Sequence, residues 1–439
     1  MNLTTLQDYI EENYNDRETF FKEEVNRMDN VKRVNEIIDI KEFLEGKNHS
    51  ILNSQTEEYK GKTYYPATIV LNYAKTICNF QTNFLLKNPV SLTCSNEGLL
   101  NRVKEVYDIG NYDRIDFDIL DKVVKYGNAY EYPYISEDGY IYSKIIPPED
   151  GYPIFSEFGN EYIGFIESYT VDNVTFWVVF TEDKVEEYSN KGGKIHKIGE
   201  YENVSGLPCI YKSDNELDEN FGRSDVLRFG EIIEEMERLI SRSCDGLYKY
   251  MDGLPIMSGQ QLEGEEGVNP KIAGEGLNLE DGAEFYFANN EINERAFKEI
   301  YNTLKQALLD ISQTPAVAFN QTDISNLSEV SIRMMYTLAS MKGSLNEKFM
   351  REGFEQRFDR FKRLLDYKGE NYEGWETLDA VFHPALPRND NEVIDNLQKL
   401  DDMGAISLDT LLDKNPYVND KNFEKKRLEE SNDNGNSEE

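Results

Sequence analysis

The chain has 439 residues, with 83 acidic side chains against 47 Lys and Arg and a formal net charge of -36. That length exceeds one ordinary core and predicts two or three domains, while so acidic a surface repels phosphate and anionic lipid and disfavours a passive nucleic-acid binder. Four cysteines, Cys78, Cys94, Cys209 and Cys244, lie far apart with no CxxC pair, which argues against a zinc site or disulfide framework and leaves reduced thiols.

In chain order, residues 1–50 read as polar helix with a charged start, and "MNLTTLQDYIEENYNDRETF" lacks the basic start and apolar core of a targeting segment. The densest apolar run, Phe176 to Phe180, is too short to cross a bilayer, so a soluble, intracellular chain without a membrane partner is expected. Ile69, Tyr73, Ile77, Phe80 and Phe84 recur at spacings of three and four, predicting one buried helical face that Asn88-Pro89 ends, with a strand to follow. From Tyr126 to Tyr211 the pattern becomes β-branched and aromatic runs between turn signals such as Glu137-Asp138-Gly139 and Gly192-Gly193. That is the signature of antiparallel sheet.

Helical period returns with Val226, Phe229, Ile233, Met236, Ile240, Cys244, Leu247 and Met251, one rod about 37 Å long. Asp252 to Asn290 is Gly-rich, with "LPIM" and "AEFYFA" as short strands. A second rod puts Ile292, Ala296, Ile300, Leu304, Ala307 and Ile311 on one face. "QTPAVAFNQTDISNLSEV" then breaks the helix at Thr314-Pro315, since proline removes a donor and restrains its predecessor. A third long helix runs through "SIRMMYTLASMKGSLNEKFMREGFEQRFDRFKRLL", a strand leaves in "LDAVFHPALP", and a last helical piece precedes a charged tail, disordered from about Lys425. The fold class is α+β, mainly helical. Rods with one narrow apolar stripe pack in bundles or against copies of themselves, so oligomerisation is expected.

The chemistry of catalysis is hard to find. Gly61-Lys62-Thr63 resembles the end of a P-loop, but the first glycine of that motif would fall at Thr56 and two glutamates would face the phosphate. Gly274 and Gly276 do not complete GxGxxG. His49, His196 and His383 sit in different elements, and "DNELDEN" at 214–220 lacks the glycine and terminal glutamate of a calcium loop. Asp113, Asp116, Asp118 and Asp121 could hold a metal for DNA-processing chemistry, against the simpler reading of a solvated helix face. No catalytic residue, metal or cofactor is assigned. The third helix is locally basic at Lys348, Arg351, Arg357, Arg360, Lys362 and Arg363. Arg351, Arg357, Arg360 and Arg363 are candidates for a subunit interface, or else a face laced by internal ion pairs.

Several segments in order, "NYAKTICNFQTNFLLKNPVSL", "DKVVKYGNAYEYPYISEDGYIYSKIIPPED", "LDENFGRSDVLRFGEIIEEMERLIS" and "FHPALPRNDNEVIDNLQKLDDMGAISLDTLLDKNPYVND", resemble the siphophage-type portal proteins of tailed double-stranded DNA bacteriophages over roughly residues 60–430. Lys87 departs from the glycine the family often has before Asn-Pro. The resemblance implies a portal fold: a wing from 1–219 and 329–387, stem helices in 220–251 and 291–312, a clip at 252–290, a tunnel loop at 313–328, a crown at 388–430 and a disordered tail at 431–439. It implies a homo-oligomeric ring of about twelve copies at the capsid vertex, through which double-stranded DNA is packaged and ejected. Implied partners are the terminase large subunit, a head-tail connector at the clip, and the major capsid and scaffolding proteins. The implied location is the virion, with the host cytoplasm during assembly. Phe319, Asn320, Gln321, Thr322 and Asp323 would stand in the tunnel loop near the DNA, where Asn320 to Asp323 offer small uncharged or acidic groups that touch a sliding duplex without gripping it. The plainer reading of the same stretch is a helix connector, with Ser328 capping the next helix.

Overall fold

The computed structural model describes residues 5–14, 18–59, 62–156, 160–250, 254–258, 282, 284–288, 294–316, 329–387, 390–415, 417–418 and 424–428. Three helices open the chain, α1 (Leu6–Asn13), α2 (Phe20–Val25) and α3 (Met28–Leu44), followed by a hairpin of β1 (Glu57–Tyr59) and β2 (Lys62–Tyr64). The P-loop-like Lys62-Thr63 therefore lies in a strand, where no helix N-terminus follows to hold phosphate. Helix α4 (Tyr73–Leu86) buries Ile77 and Phe84 of the predicted face, leaves Tyr73 and Phe80 half-buried, adds Leu85 to the core and stops before Asn88-Pro89, and β3 (Ser91–Thr93) comes next. Helices α5 (Glu97–Gly110) and α6 (Tyr112–Tyr126) meet at Asn111, which takes the left-handed backbone.

Sheet occupies the stretch the sequence marks for it. Strands β4 (Asn128–Ile135), β5 (Ile141–Ile146) and β11 (Cys209–Lys212) form a three-stranded sheet in the order β11-β4-β5. Between them, β6 (Gly151–Phe155), β7 (Tyr162–Val171), β8 (Val174–Phe180), β9 (Lys184–Ser189) and β10 (His196–Glu202) make a five-stranded antiparallel meander. Helix α7 (Val226–Tyr250) is the first rod, with the bounds its period indicates. Strands β12 (Leu254–Ser258) and β13 (Glu284–Ala288) pair antiparallel, and α8 (Glu294–Ile311) is the second rod. The third helix is two pieces, α9 (Glu329–Met335) and α10 (Thr337–Tyr367), parted at Tyr336. Strand β14 (Asp379–Val381) pairs with β3, and α11 (Asp390–Asp402) and α12 (Leu408–Lys414) follow.

The main core gathers α4, α5, α6, the first half of α7, β4, β11 and the 31-residue α10. Helix α10 lies across β11 because Gly353 lets the Tyr211 ring approach its backbone: an added Cβ would stand 2.2 Å from that ring. Tyr211 is itself fixed by a 2.6 Å hydrogen bond to Glu131, so it cannot yield. Gly353→Ala should therefore cost about 1–3 kcal/mol by overpacking, despite alanine's better helix propensity. A thermal melt no lower than wild type would contradict this packing.

Candidate functional site

The two rods and the helix behind them form the site the sequence singles out. Helix α7 starts on a buried ion pair, in which Lys342 Nζ of α10 donates to Asp225 at 2.9 Å. Val226, Phe229, Ile233 and Met236 are buried as expected, but the stripe then leaves the core, and Leu247 is exposed. An extended segment is laced along the emerging rod. The backbone N–H groups of Ala67, Ile69 and Leu71 donate to Asp245 Oδ1 (2.7 Å), Ser241 Oγ (3.0 Å) and Glu237 Oε1 (2.8 Å). The match is metric: two extended residues advance about 6.6 Å and four helical ones about 6.0 Å, so alternate amides meet every fourth side chain.

Glu237 anchors this strap. Its other oxygen lies 2.9 Å from His49 Nδ1, while His49 Nε2 donates to the Phe43 carbonyl at 2.9 Å and the imidazole stacks on the Phe43 ring. Burial pushes the Glu237 carboxyl above the usual range, and the Leu71 N–H and His49 oppose the shift.

Helix α8 is fastened at two points to α4, by Tyr73 and Tyr301 hydroxyls 3.0 Å apart and by Gln81 donating to the Ser312 carbonyl at 3.1 Å. Its inward residues are Leu308 and Leu309. The stripe read from the sequence is not the inward one: Ile300 and Ile311 are exposed, and Leu304 and Ala307 are only half-buried. The helix holds two overlapping apolar stripes, of which the more regular faces away from the core. The stop is also earlier than Thr314-Pro315. Gln313 turns left-handed (φ 53°), and Thr314 N–H closes back onto the Leu309 carbonyl and Gln313 N–H onto that of Asp310. This is a Schellman end with proline following it. The tunnel-loop candidates Phe319, Asn320, Gln321, Thr322 and Asp323 lie outside the described residues, as do Ser328, Gly274 and Gly276.

The four arginines separate. Arg357 is corrected from interface to core. It is fully buried, donates to Glu131 (2.8 Å) and Asp116 (2.5 Å), and is enclosed by Tyr107, Tyr112, Tyr211 and Phe354, the last 4.7 Å from its guanidinium carbon. Arg360 is nearly as buried and donates to the Leu207 carbonyl at 2.9 Å, so it too serves its own chain. Arg351 reaches Glu347 and Asp379, and Arg363 reaches Glu182 and Asp359; both remain partly exposed.

The acidic set on α6 does not converge. Asp116 points inward to Arg357, while Asp118 pairs with Arg114 on the outside and Asp121 with Lys125 in a half-buried pair. Burial raises the Asp116 carboxyl to about 6, with Arg357 opposing. Among the described residues no group of three or more His, Cys, Asp or Glu is placed to hold a metal. Residues the sequence reading missed are Glu131, Asp225, Lys342, Glu237, Ser241 and Asp245. A charge inside an apolar strand, "NAYEYPYI", could have flagged Glu131, and the four-residue spacing of 237, 241 and 245 marks one edge of α7.

The chain thus carries two long helices, one of them strapped to the body by polar contacts, and the family comparison identifies it: the model described as "Phage portal protein, SPP1 Gp6-like" matches residues 27–438, so the chain belongs to that phage portal family. The family is structural, not enzymatic, which leaves the metal-dependent alternative without support. The chain is 22% identical over 398 residues to the portal protein of Bacillus phage SPP1, covering 81% of this chain and 74% of that one. Among solved structures it is similar to a chain of the virion of a native gene transfer agent particle, at 14% identity and TM-score 0.45, covering 76% of this chain and 86% of that one. A chain from the neck of the native particle, computed with C12 symmetry, gives 14% identity and TM-score 0.43 over 77% and 89%.

Proposed function

We propose that about a dozen copies close into a ring at the capsid vertex, forming the channel through which double-stranded DNA is packaged and later ejected. The observation that carries this reading is family membership across residues 27–438. Helices α7 and α8 serve as the stem, 252–290 as the clip that receives the head-tail connector, and 388–430 as the crown. The 313–328 stretch, with Phe319 to Asp323, faces the passing duplex. Arg351 and Arg363 sit at the contact between neighbours. The terminase large subunit docks on the ring to drive DNA, and capsid and scaffolding proteins surround it; the ring assembles in the host cytoplasm and stays in the virion.

Charge suits a conduit. A ring of a dozen copies carries roughly 430 formal negative charges, from -36 on each chain, and a lumen sharing in them repels phosphate from all sides. Screening confines that push to about 8 Å at physiological salt, so it centres the duplex without barring entry. Negative-stain imaging and mass measurement of the purified chain should show a cyclic particle with a central hole. A strictly monomeric chain, in solution and in assembled capsids, would end this reading.

A further inference from the structure

Helix α9 and the start of α10 are apolar on two opposite faces. Ile332, Tyr336, Ala339 and Gly343 turn inward, with Ile332, Tyr336 and Ala339 clustered around Phe84 and the Cβ position of Gly343 3.0 Å from its ring. About half a turn away, Val330, Met334, Leu338 and Met341 recur at four, four and three residues and face outward, Met334 72% and Met341 59% exposed. Met335 is partly uncovered beside them, and Met341 and Leu386 line a neighbouring cleft of about 570 Å³. A helix apolar on both sides is one that is buried on both sides, and here half the cover is missing.

The size of the patch indicates what covers it. From the exposure of Val330, Met334, Met335, Leu338 and Met341 its uncovered area is on the order of 500 Å², the size of the largest and often functional patch on a monomer. A standard protein face of about 800 Å², a little over half apolar, calls for about that much. Methionine is suited to such a face, since its unbranched thioether fits an irregular neighbour.

The same chain carries a second, unlike apolar face. On α8, Ile300, Leu304, Ala307 and Ile311 follow one another at four, three and four residues, and Ile300 (51%) and Ile311 (49%) are exposed. That is the spacing of a helix-packing seam. Two different apolar faces on one chain are what a head-to-tail interface requires, because each copy must offer one face forward and the other backward. We propose that the Val330–Met341 stripe of one copy packs on the Ile300–Ile311 seam of a second copy. The proposal rests on the ring reading above and adds which surfaces close the ring.

Two double variants of the full chain test it, with circular dichroism and melting curves confirming that each folds. Met334→Glu with Leu338→Glu disables the stripe, and Ile300→Glu with Ile311→Glu disables the seam. Each variant alone should be monomeric by sedimentation where wild type forms rings, and an equimolar mixture should give a one-to-one dimer, since each partner retains one working face. Rings formed by the stripe variant as readily as by wild type, or a mixture that stays monomeric, would overturn the pairing. Should a variant fail to fold, methionine oxidation of wild type decides: Met334 and Met341 should react at least about tenfold more slowly in rings than in dissociated chain, with Met403 as the unprotected reference. Equal rates overturn the proposal. If wild type itself forms no ring, the conduit reading has failed first and takes this pairing with it.

Discussion

Arg357→Ala should unfold the body in which α7 and α10 are anchored, or lower its stability by about 3–5 kcal/mol, the usual cost of stranding buried charge. The guanidinium is the counter-charge to two buried carboxylates, Asp116 and Glu131, and four rings close around it. Removing it leaves Glu131 with the Tyr211 hydroxyl and Asp116 with no cation. The pH dependence has a definite sign. Asp116 titrates at about 6 in the folded chain and at 3.8 as its ordinary value, so between those pH values the folded state holds the extra proton. Its contribution to stability therefore falls as pH rises through that window and is lowest above it. Without Arg357 the folded pKa rises further, so the variant's penalty should be larger at pH 8 than at pH 5. Denaturant titrations at the two pH values read this directly. A neutral triad, Arg357→Met with Asp116→Asn and Glu131→Gln, should recover much of the loss, because what hurts is unpaired charge. Equal melting of Arg357→Ala and wild type would contradict the buried cluster.

This cluster also shows where the sequence stops speaking. The bounds of α7, the stop of α4 before Asn88-Pro89 and the sheet from 128 to 212 were legible because each is set by local chemistry: period, proline and turn residues. Arg357 finds its carboxylates 226 and 241 residues away, and nothing near it in sequence names them. One local signal was present. Met350, Phe354, Arg357, Phe361 and Leu364 share one helical face, so an arginine inside an apolar stripe had to be buried with partners. Counting it with Arg351 and Arg363 as a basic patch used charge and ignored period.

The two apolar stripes of α8 pose a similar problem. Amphipathicity identifies an apolar face, but burial by the same chain and burial by another copy leave the same mark in sequence. The stripe Ile300–Leu304–Ala307–Ile311 was legible as apolar, while Leu308 and Leu309, the residues that reach the core, were hidden by adjacency. The polar strap was less legible still. Ala67, Ile69 and Leu71 contribute only backbone N–H groups, so their side chains say nothing of the contact.

Glu237→Ala should cost about 3 kcal/mol or more, while Glu237→Gln should stay within about 1 kcal/mol of wild type. Alanine strands the half-buried Leu71 N–H and the buried His49 Nδ1, each worth about 1–3 kcal/mol when unpaired. A glutamine side chain keeps both contacts if His49 is the neutral tautomer. Its Nε2 donates to the Phe43 carbonyl, leaving Nδ1 to accept from an amide, while the amide oxygen accepts from Leu71. Denaturant melts give the energies, and amide exchange at Leu71 gives the location: exchange should accelerate in Glu237→Ala and stay slow in Glu237→Gln. If glutamine proves as damaging as alanine, the pair is ionic and His49 carries the proton. In either case the strap ties the emerging half of α7 to the body, so its loss should loosen α7 at Asp245 and Ser241 before the core around Phe229 and Ile233 responds.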